Sequence, residues 1–389
     1  MNVRVLIVAC ISIMAAMLGL GILTPILPIY AQDLGASGTM LGIIYASFAI
    51  TLAIFNPIVG RLSDRFGYKL FITFGLGISV PIVLLFVLAT NPYHLIFIRL
   101  LEGIFCAMIQ TSTVAYVGSV APSGKEGSYM GIYNTFFLMG LGAGPLLGGI
   151  FTDLYDIKMP FYIMAIFLGI AFFVVLLLMP RKNDEKESYI KKIKEHEKQP
   201  IKLALNSRLM QAMLIFGFIL ALGQGGLMAF LPLLTWREQL SATQIGILTS
   251  TIMVCAGLLQ TPSGYLANKY NKVFLVISGV LLFGVGLAFV PMCHSFLWFF
   301  IFSFCGGVAI ALCNPAANAI MVRGFKEFGI GFAFGLYNLA MGIGMIIGPV
   351  FSGFIIDISG LDNMFYVSSV MYILAAIMIY RNTKGMINL

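Results

Sequence analysis

Two stretches of this chain read alike: residues 130–149, MGIYNTFFLMGLGAGPLLGG, and residues 334–353, FGLYNLAMGIGMIIGPVFSG. At a constant offset of 204, Gly131, Tyr133, Asn134, Gly140, Gly144, Pro145 and Gly149 recur as Gly335, Tyr337, Asn338, Gly344, Gly348, Pro349 and Gly353. The register runs on through Asp153 and Asp357, Phe161 and Phe365, and Tyr162 and Tyr366. Toward the N-terminus it holds for Pro28 and Pro232, Ser37 and Ser241, Gly42 and Gly246, Gly60 and Gly264, and Gly103 and Gly307. Shared hydrophobicity would match Leu with Val by chance. It would not keep turn and packing residues in step without a gap. The chain is therefore a duplication.

What is duplicated follows from the composition. Sixty per cent of the residues are apolar and 10% are charged, with a mean hydropathy of +1.00. Soluble domains carry about 25% charged residues, so this chain must present apolar surface to lipid. About 20 apolar residues in a helix cross the hydrocarbon core. Twelve runs qualify, near 5–30, 41–60, 70–90, 94–118, 128–152, 160–180, 209–235, 243–264, 272–292, 295–321, 331–356 and 364–380. The alternating ten-residue segments of a barrel are missing. The first run is too long for a secretory signal core and is expected to be a retained span. The expected fold is all-α and membrane-embedded, two parallel six-helix repeats around a central cavity, with the substrate site at their interface.

The polar stretch 181–208, RKNDEKESYIKKIKEHEKQPIKLALNSR, divides the runs six and six. Residues 1–180 and 209–389 are the expected bundles, with 181–208 as a cytoplasmic linker. Basic residues fix the expected orientation. With the N-terminus inside, the cytoplasmic side holds twenty of the 23, Lys125 and Lys326 among them. Lys158 and Arg237 fall outside, and Arg99 falls within a span. This positive-inside bias predicts a multi-pass protein of the cytoplasmic (inner) membrane with both termini cytoplasmic. The net charge of +8 thus reports topology, not nucleic-acid binding. Six cysteines are scattered through the spans with no CxxC pair, and the three histidines sit in or beside loops. Neither a metal site, a cofactor site nor a catalytic triad is expected. No GxxxxGK[ST] loop is present, so ATP is not expected to drive the protein directly.

Three elements carry a family resemblance. After the second run comes Gly60-Arg-Leu-Ser-Asp64-Arg65-Phe-Gly67-Tyr-Lys69, similar to the G-x-L-a-D-r-x-G-r-k loop of the major facilitator superfamily. The fifth run holds Gly140, Gly144, Pro145, Gly148 and Gly149 in the pattern of that family's antiporter motif, g-x-x-x-G-P-x-x-G-G. Leu18, Gly19, Pro25 and Pro28 resemble an element of its twelve-span drug:proton antiporters. The resemblance implies a secondary active transporter, proton-coupled and exporting small amphipathic or hydrophobic compounds, and working as a monomer. An uptake facilitator or a lipid-linked substrate flippase on the same fold is the alternative. A membrane sensor or scaffold that does not transport is the alternative of another class. In the family the loop Asp contacts a neighbouring helix terminus and basic partners, a role Asp64 would inherit. The second copy has Asn268 there.

Arg99 and Glu102 are the charged pair inside a span, about 12 Å along it for Glu102. A spacing of three puts both on one helix face. An ionisable group at that depth costs about 2.5–3.5 kcal/mol even on a lenient scale, so it is paired, watered or functional. The pair stands where the family has R-x-x-q-G, with Glu replacing Gln. Glu102 is the candidate proton carrier, with Arg99 tuning it. A structural ion pair and recognition of a cationic substrate are the alternatives. Candidate cavity residues are Tyr45, Asn56, Gln110, Asn134, Gln224, Gln260, Asn314, Asn318, Tyr337 and Asn338. Each polar one could equally make an interhelical hydrogen bond.

Overall fold

The computed structural model describes residues 3–121, 126–180, 207–325 and 330–384. Residues 181–206 of the linker, Lys125, Lys326 and both chain ends lie outside them. All twelve expected spans are helices: α1 Val3–Asp33, α2 Gly38–Phe66, α3 Tyr68–Val87, α4 Pro92–Val120, α5 Glu126–Leu154, α6 Met159–Leu178, α7 Arg208–Arg237, α8 Ala242–Lys269, α9 Lys272–Phe289, α10 Phe296–Gly324, α11 Ile330–Ser359 and α12 Leu361–Thr383. Each contains a segment long and apolar enough to cross a membrane. Side-chain caps define several starts: Asn91 accepts from His94 N at α4, and Asn271 accepts from Phe274 N at α9.

One expectation needs correcting. The signature at 60–69 is not a loop. The α2 helix continues to Phe66 and α3 starts at Tyr68, so Gly67 alone makes the turn. Its φ of 98° is one that glycine adopts without strain. Gly60 sits in helix and needs no unusual dihedral. Lys69 of this element donates from Nζ to the carbonyls of Leu176 and Met179. A cation there satisfies orphan carbonyls at the C-terminal end of α6. Asp64 accepts from the Tyr68 hydroxyl at 2.8 Å and forms no ion pair among the described residues.

Lipid gives helices little hydrophobic reason to associate, so close packing and small residues must hold them together. The glycines do this in duplicate. A Cβ at Gly103 would collide with Thr51 and the Phe48 carbonyl, and one at Gly307 with Cys255 and the Ile252 carbonyl. Gly75 lies against the Phe105 carbonyl and Gly279 against the Ala309 carbonyl. Gly140 and Gly144 press on the Met14 and Leu18 carbonyls of α1, and Gly344 and Gly348 on the Phe218 and Leu222 carbonyls of α7. Every one of these contacts maps onto its partner by adding 204. Within each half, α1 packs on α5 as α7 does on α11, and α2 on α4 as α8 does on α10.

The halves meet along α5–α8 and α2–α11, with α1 against α7. This seam is closed at the end away from the linker, the far side. There Gly149 abuts the Ala242 carbonyl and Gly246 the Pro145 carbonyl. In the other copy, Gly353 abuts the Gly38 carbonyl and Gly42 the Pro349 carbonyl. Along α5–α8 the contact loosens toward the linker side: a Cβ at Gly142 would lie 3.2 Å from Val254, and one at Gly257 3.6 Å from Leu138. At Gly131, Gly264 and Gly335 it would meet nothing within 4 Å. Among the described residues, the backbone-to-backbone glycine contacts of the seam thus cluster on the far side. We predict that Gly348→Ala destabilises by about 1–3 kcal/mol through overpacking. Gly335→Ala should leave the unfolding midpoint in detergent unchanged or higher. Equal midpoints for both variants would contradict this packing account.

Candidate functional site

Arg99 and Glu102 lie side by side on α4, and the guanidinium donates from Nη1 to Oε2 at 2.8 Å. Both side chains are only 6% exposed. The guanidinium also sits over two α2 rings, 4.3 Å from the Phe48 centroid and 5.5 Å from that of Tyr45. Such stacking gains in strength where water is excluded. The pair is incompletely satisfied. Arg99 Nε and Glu102 Oε1 are buried with no hydrogen-bond partner. Gly103 makes the arrangement possible, because its missing side chain brings α4 against Phe48 and Thr51 of α2.

Tyr45 links the pair to the seam. Its hydroxyl donates to the Thr24 carbonyl at 3.4 Å. That carbonyl has no helical donor, because Pro28 stands four residues on and has no N–H. Thr24 in turn lines a cavity between the halves, with Leu141 and Pro145 of α5, Gln224, Leu227, Met228 and Leu231 of α7, Thr249, Ile252 and Met253 of α8, and Ile310 of α10. The wall is mostly apolar. Gln224, Thr24 and Thr249 supply its polar side chains, and none of its residues is ionisable. Met228 and Met253 give it flexible, adaptable side chains.

Of the ten residues singled out as cavity candidates, Gln224 lines this cavity and Tyr45 adjoins it. The other eight are not among the residues that line it. Asn56 accepts from Thr111 at 2.9 Å inside the first half. Tyr337 is buried against Phe216, with Gly217 making room for its ring. Gln110 and Asn314 are half-buried, while Asn134, Gln260, Asn318 and Asn338 are exposed. Sequence reading missed Thr24, Leu141, Met228 and Thr249. A signal existed for three of them: Thr24, Leu141 and Met228 each precede a helix proline (Pro28, Pro145, Pro232) by four residues, where the helix opens. The antiporter-like residues divide by face. Gly140, Gly144 and Gly148 pack on α1, while Pro145 and Gly149 meet α8 across the seam.

Removing one partner of a buried pair strands the other charge, at about 3–5 kcal/mol. Arg99→Ala and Glu102→Ala should each destabilise by that order. The double variant should cost clearly less than their sum, read from unfolding in detergent. Additive costs would show that the two side chains do not depend on one another.

The comparisons with known proteins agree with this architecture. The family model described as Major Facilitator Superfamily matches residues 9–238 and again 213–385. An uncharacterized MFS-type transporter of Methanocaldococcus jannaschii is 31% identical over 378 residues, covering 95% of this chain and 96% of that protein. The quinolone resistance protein NorA of Staphylococcus aureus is 26% identical over 354 residues, 89% of this chain and 88% of its own. Among solved structures, a bacterial homolog of the human lysosomal transporter Spinster, in an inward-facing and occupied conformation, superposes with a TM-score of 0.82. It is 14% identical and covers 98% of this chain and 96% of its own. A point mutant of the nucleoside transporter NupG gives 0.81 at 16% identity, covering 98% and 100%. With its duplicated twelve-helix fold and its full-length match to these proteins, the chain belongs to the major facilitator superfamily, a family of membrane transporters and not of enzymes.

Proposed function

We propose that this transporter exports small amphipathic or hydrophobic compounds in exchange for protons by alternating access. The observation that carries the reading is the buried Arg99–Glu102 pair with an unpartnered carboxylate oxygen, one residue removed through Tyr45 from the wall of the central cavity. The cavity's apolar wall supports the substrate class. NorA, named for quinolone resistance, makes a quinolone the first compound to try.

In this reading the linker side is cytoplasmic, as the basic residues favour, and the membrane is the cytoplasmic (inner) one with both chain ends inside. The bodies that rock are residues 1–180 and 209–389, joined by the cytoplasmic linker 181–208, and one monomer suffices. In the linker-open state Glu102 releases its proton to the cytoplasm and substrate enters the cavity. Rocking exposes the cavity outward, substrate leaves, and a proton from outside returns to Glu102. Arg99 holds the carboxylate when it is charged. The Phe48 and Tyr45 rings take the guanidinium when it is not. The α2–α3 corner, with Gly60, Asp64, Arg65, Gly67 and Lys69, steadies the linker side when that side closes. Pro145 and Gly149 form the seam on which α5 moves against α8.

The test is Glu102→Gln in proteoliposomes with an imposed pH gradient. Gradient-driven quinolone transport should fall to the passive leak, while exchange of labelled for unlabelled quinolone persists. Undiminished gradient-driven transport in the variant would remove Glu102 as the proton carrier.

A further inference from the structure

The duplicated residues Asp153 and Asp357 have no part in the site above. Each lies four residues beyond a seam glycine and eight beyond a helix proline: Pro145, Gly149, Asp153 and Pro349, Gly353, Asp357. Spacings of four and eight keep each set on one helix face. Both carboxylates therefore ride on the face that meets the opposite half. The near backbone contact allowed by Gly149 and Gly353 brings them within reach of the next helix.

There they cap helices that belong to the other half. Asp153 of α5 accepts from Ala242 N at 3.0 Å and Thr243 N at 2.8 Å, the first two N–H groups of α8. Asp357 of α11 accepts from Gly38 N at 2.7 Å and Thr39 N at 2.8 Å, the first two of α2. The third N–H is met locally, by Ser241 for Gln244 and by Ser37 for Met40. A helix start has orphan donors that must find acceptors. Here each start is completed jointly by its own serine and by a carboxylate from across the seam. Anionic acceptors at an N-terminus also gain from the helix dipole. Bonds of this charge-assisted kind are roughly twice as strong as neutral ones. Other far-side polar contacts stay within a half. Arg237 pairs with Asp362, His294 with Glu238, and Asp156 with the N–H groups of Lys158 and Met159.

We propose that Asp153 and Asp357 form one latch that holds the far side closed, as positioning residues of the transport cycle. Both caps must break together when the halves rock, because neither carboxylate can follow the other half's helix. The latch rests on the alternating-access reading but not on the identity of substrate or coupling ion.

Hydrogen exchange of the full-length protein, followed by mass spectrometry, tests it without substrate or a pH gradient. Asp153→Asn leaves one acceptor where there were two and turns an amide donor toward a helix N–H. Faster exchange at Ala242 and Thr243 is expected from any cap. The latch predicts more: exchange at Gly38 and Thr39 should rise by about tenfold although Asp357 is intact, the factor that losing one hydrogen bond to a charged group represents. Asp357→Asn should give the mirror result at Ala242 and Thr243, which keeps the test decisive if one variant folds poorly. Asp156→Asn, a cap of the same chemistry within one half, should change neither seam. A rise confined to the helix whose own cap was removed would overturn the latch and leave two independent local caps. Failure here would leave the proton role of Glu102 untouched, and failure of that role would leave the latch untouched.

Discussion

Backbone pressed directly against backbone is the constraint on which this structure depends. Inside a bilayer, apolar side chains gain nothing by leaving lipid for another helix. Association then requires many weak contacts at short range. A glycine facing a carbonyl supplies the shortest approach, and Gly144 on Leu18, Gly348 on Leu222 and Gly149 on Ala242 are such contacts. They set the helix spacing from which the rest follows. The α2–α4 approach at Gly103 confines Arg99 between aromatic rings, and the α5–α8 approach at Gly149 carries Asp153 to a helix start.

Packing and the seam carboxylates obey the duplication, and the buried ion pair does not. Adding 204 to Arg99 and Glu102 gives Ser303 and Gly306, and adding it to Tyr45 gives Thr249. The first half thus encloses an ion pair where the second has small residues. The central cavity leans the other way, since most of its wall comes from α7, α8 and α10. In the proposed cycle, this splits the labour between a half that handles the proton and a half that offers substrate an adaptable surface. Rigid-body rocking of the halves couples the two events.

The helices, their number and their pairing were legible because each rests on a local or periodic signal. Apolar length marks a span, and a glycine recurring at 204 marks a contact made twice. Arg99 and Glu102 were legible because charge is rare in a span. The cavity wall was mostly not. Asn134 and Asn318 stand out in the sequence because they are polar, while Met228 and Ile310 line the cavity and look like any other apolar residue. Which face of a nearly uniformly apolar helix turns inward depends on the packing of its neighbours, and no single residue encodes that. The turn at Gly67 was placed too early for a similar reason. Gly60 and Asp64 resemble loop residues by type, but backbone hydrogen bonding carries α2 beyond them.

The central claim is that one buried carboxylate in the first half takes up and releases a proton. Infrared difference spectra of the purified protein, recorded as the pH is lowered through the physiological range, test it most directly. The account predicts a protonated-carboxyl band that appears in the wild type and in Asp64→Asn and is missing from Glu102→Gln. A spectrum of Glu102→Gln identical to that of the wild type at every pH would contradict it.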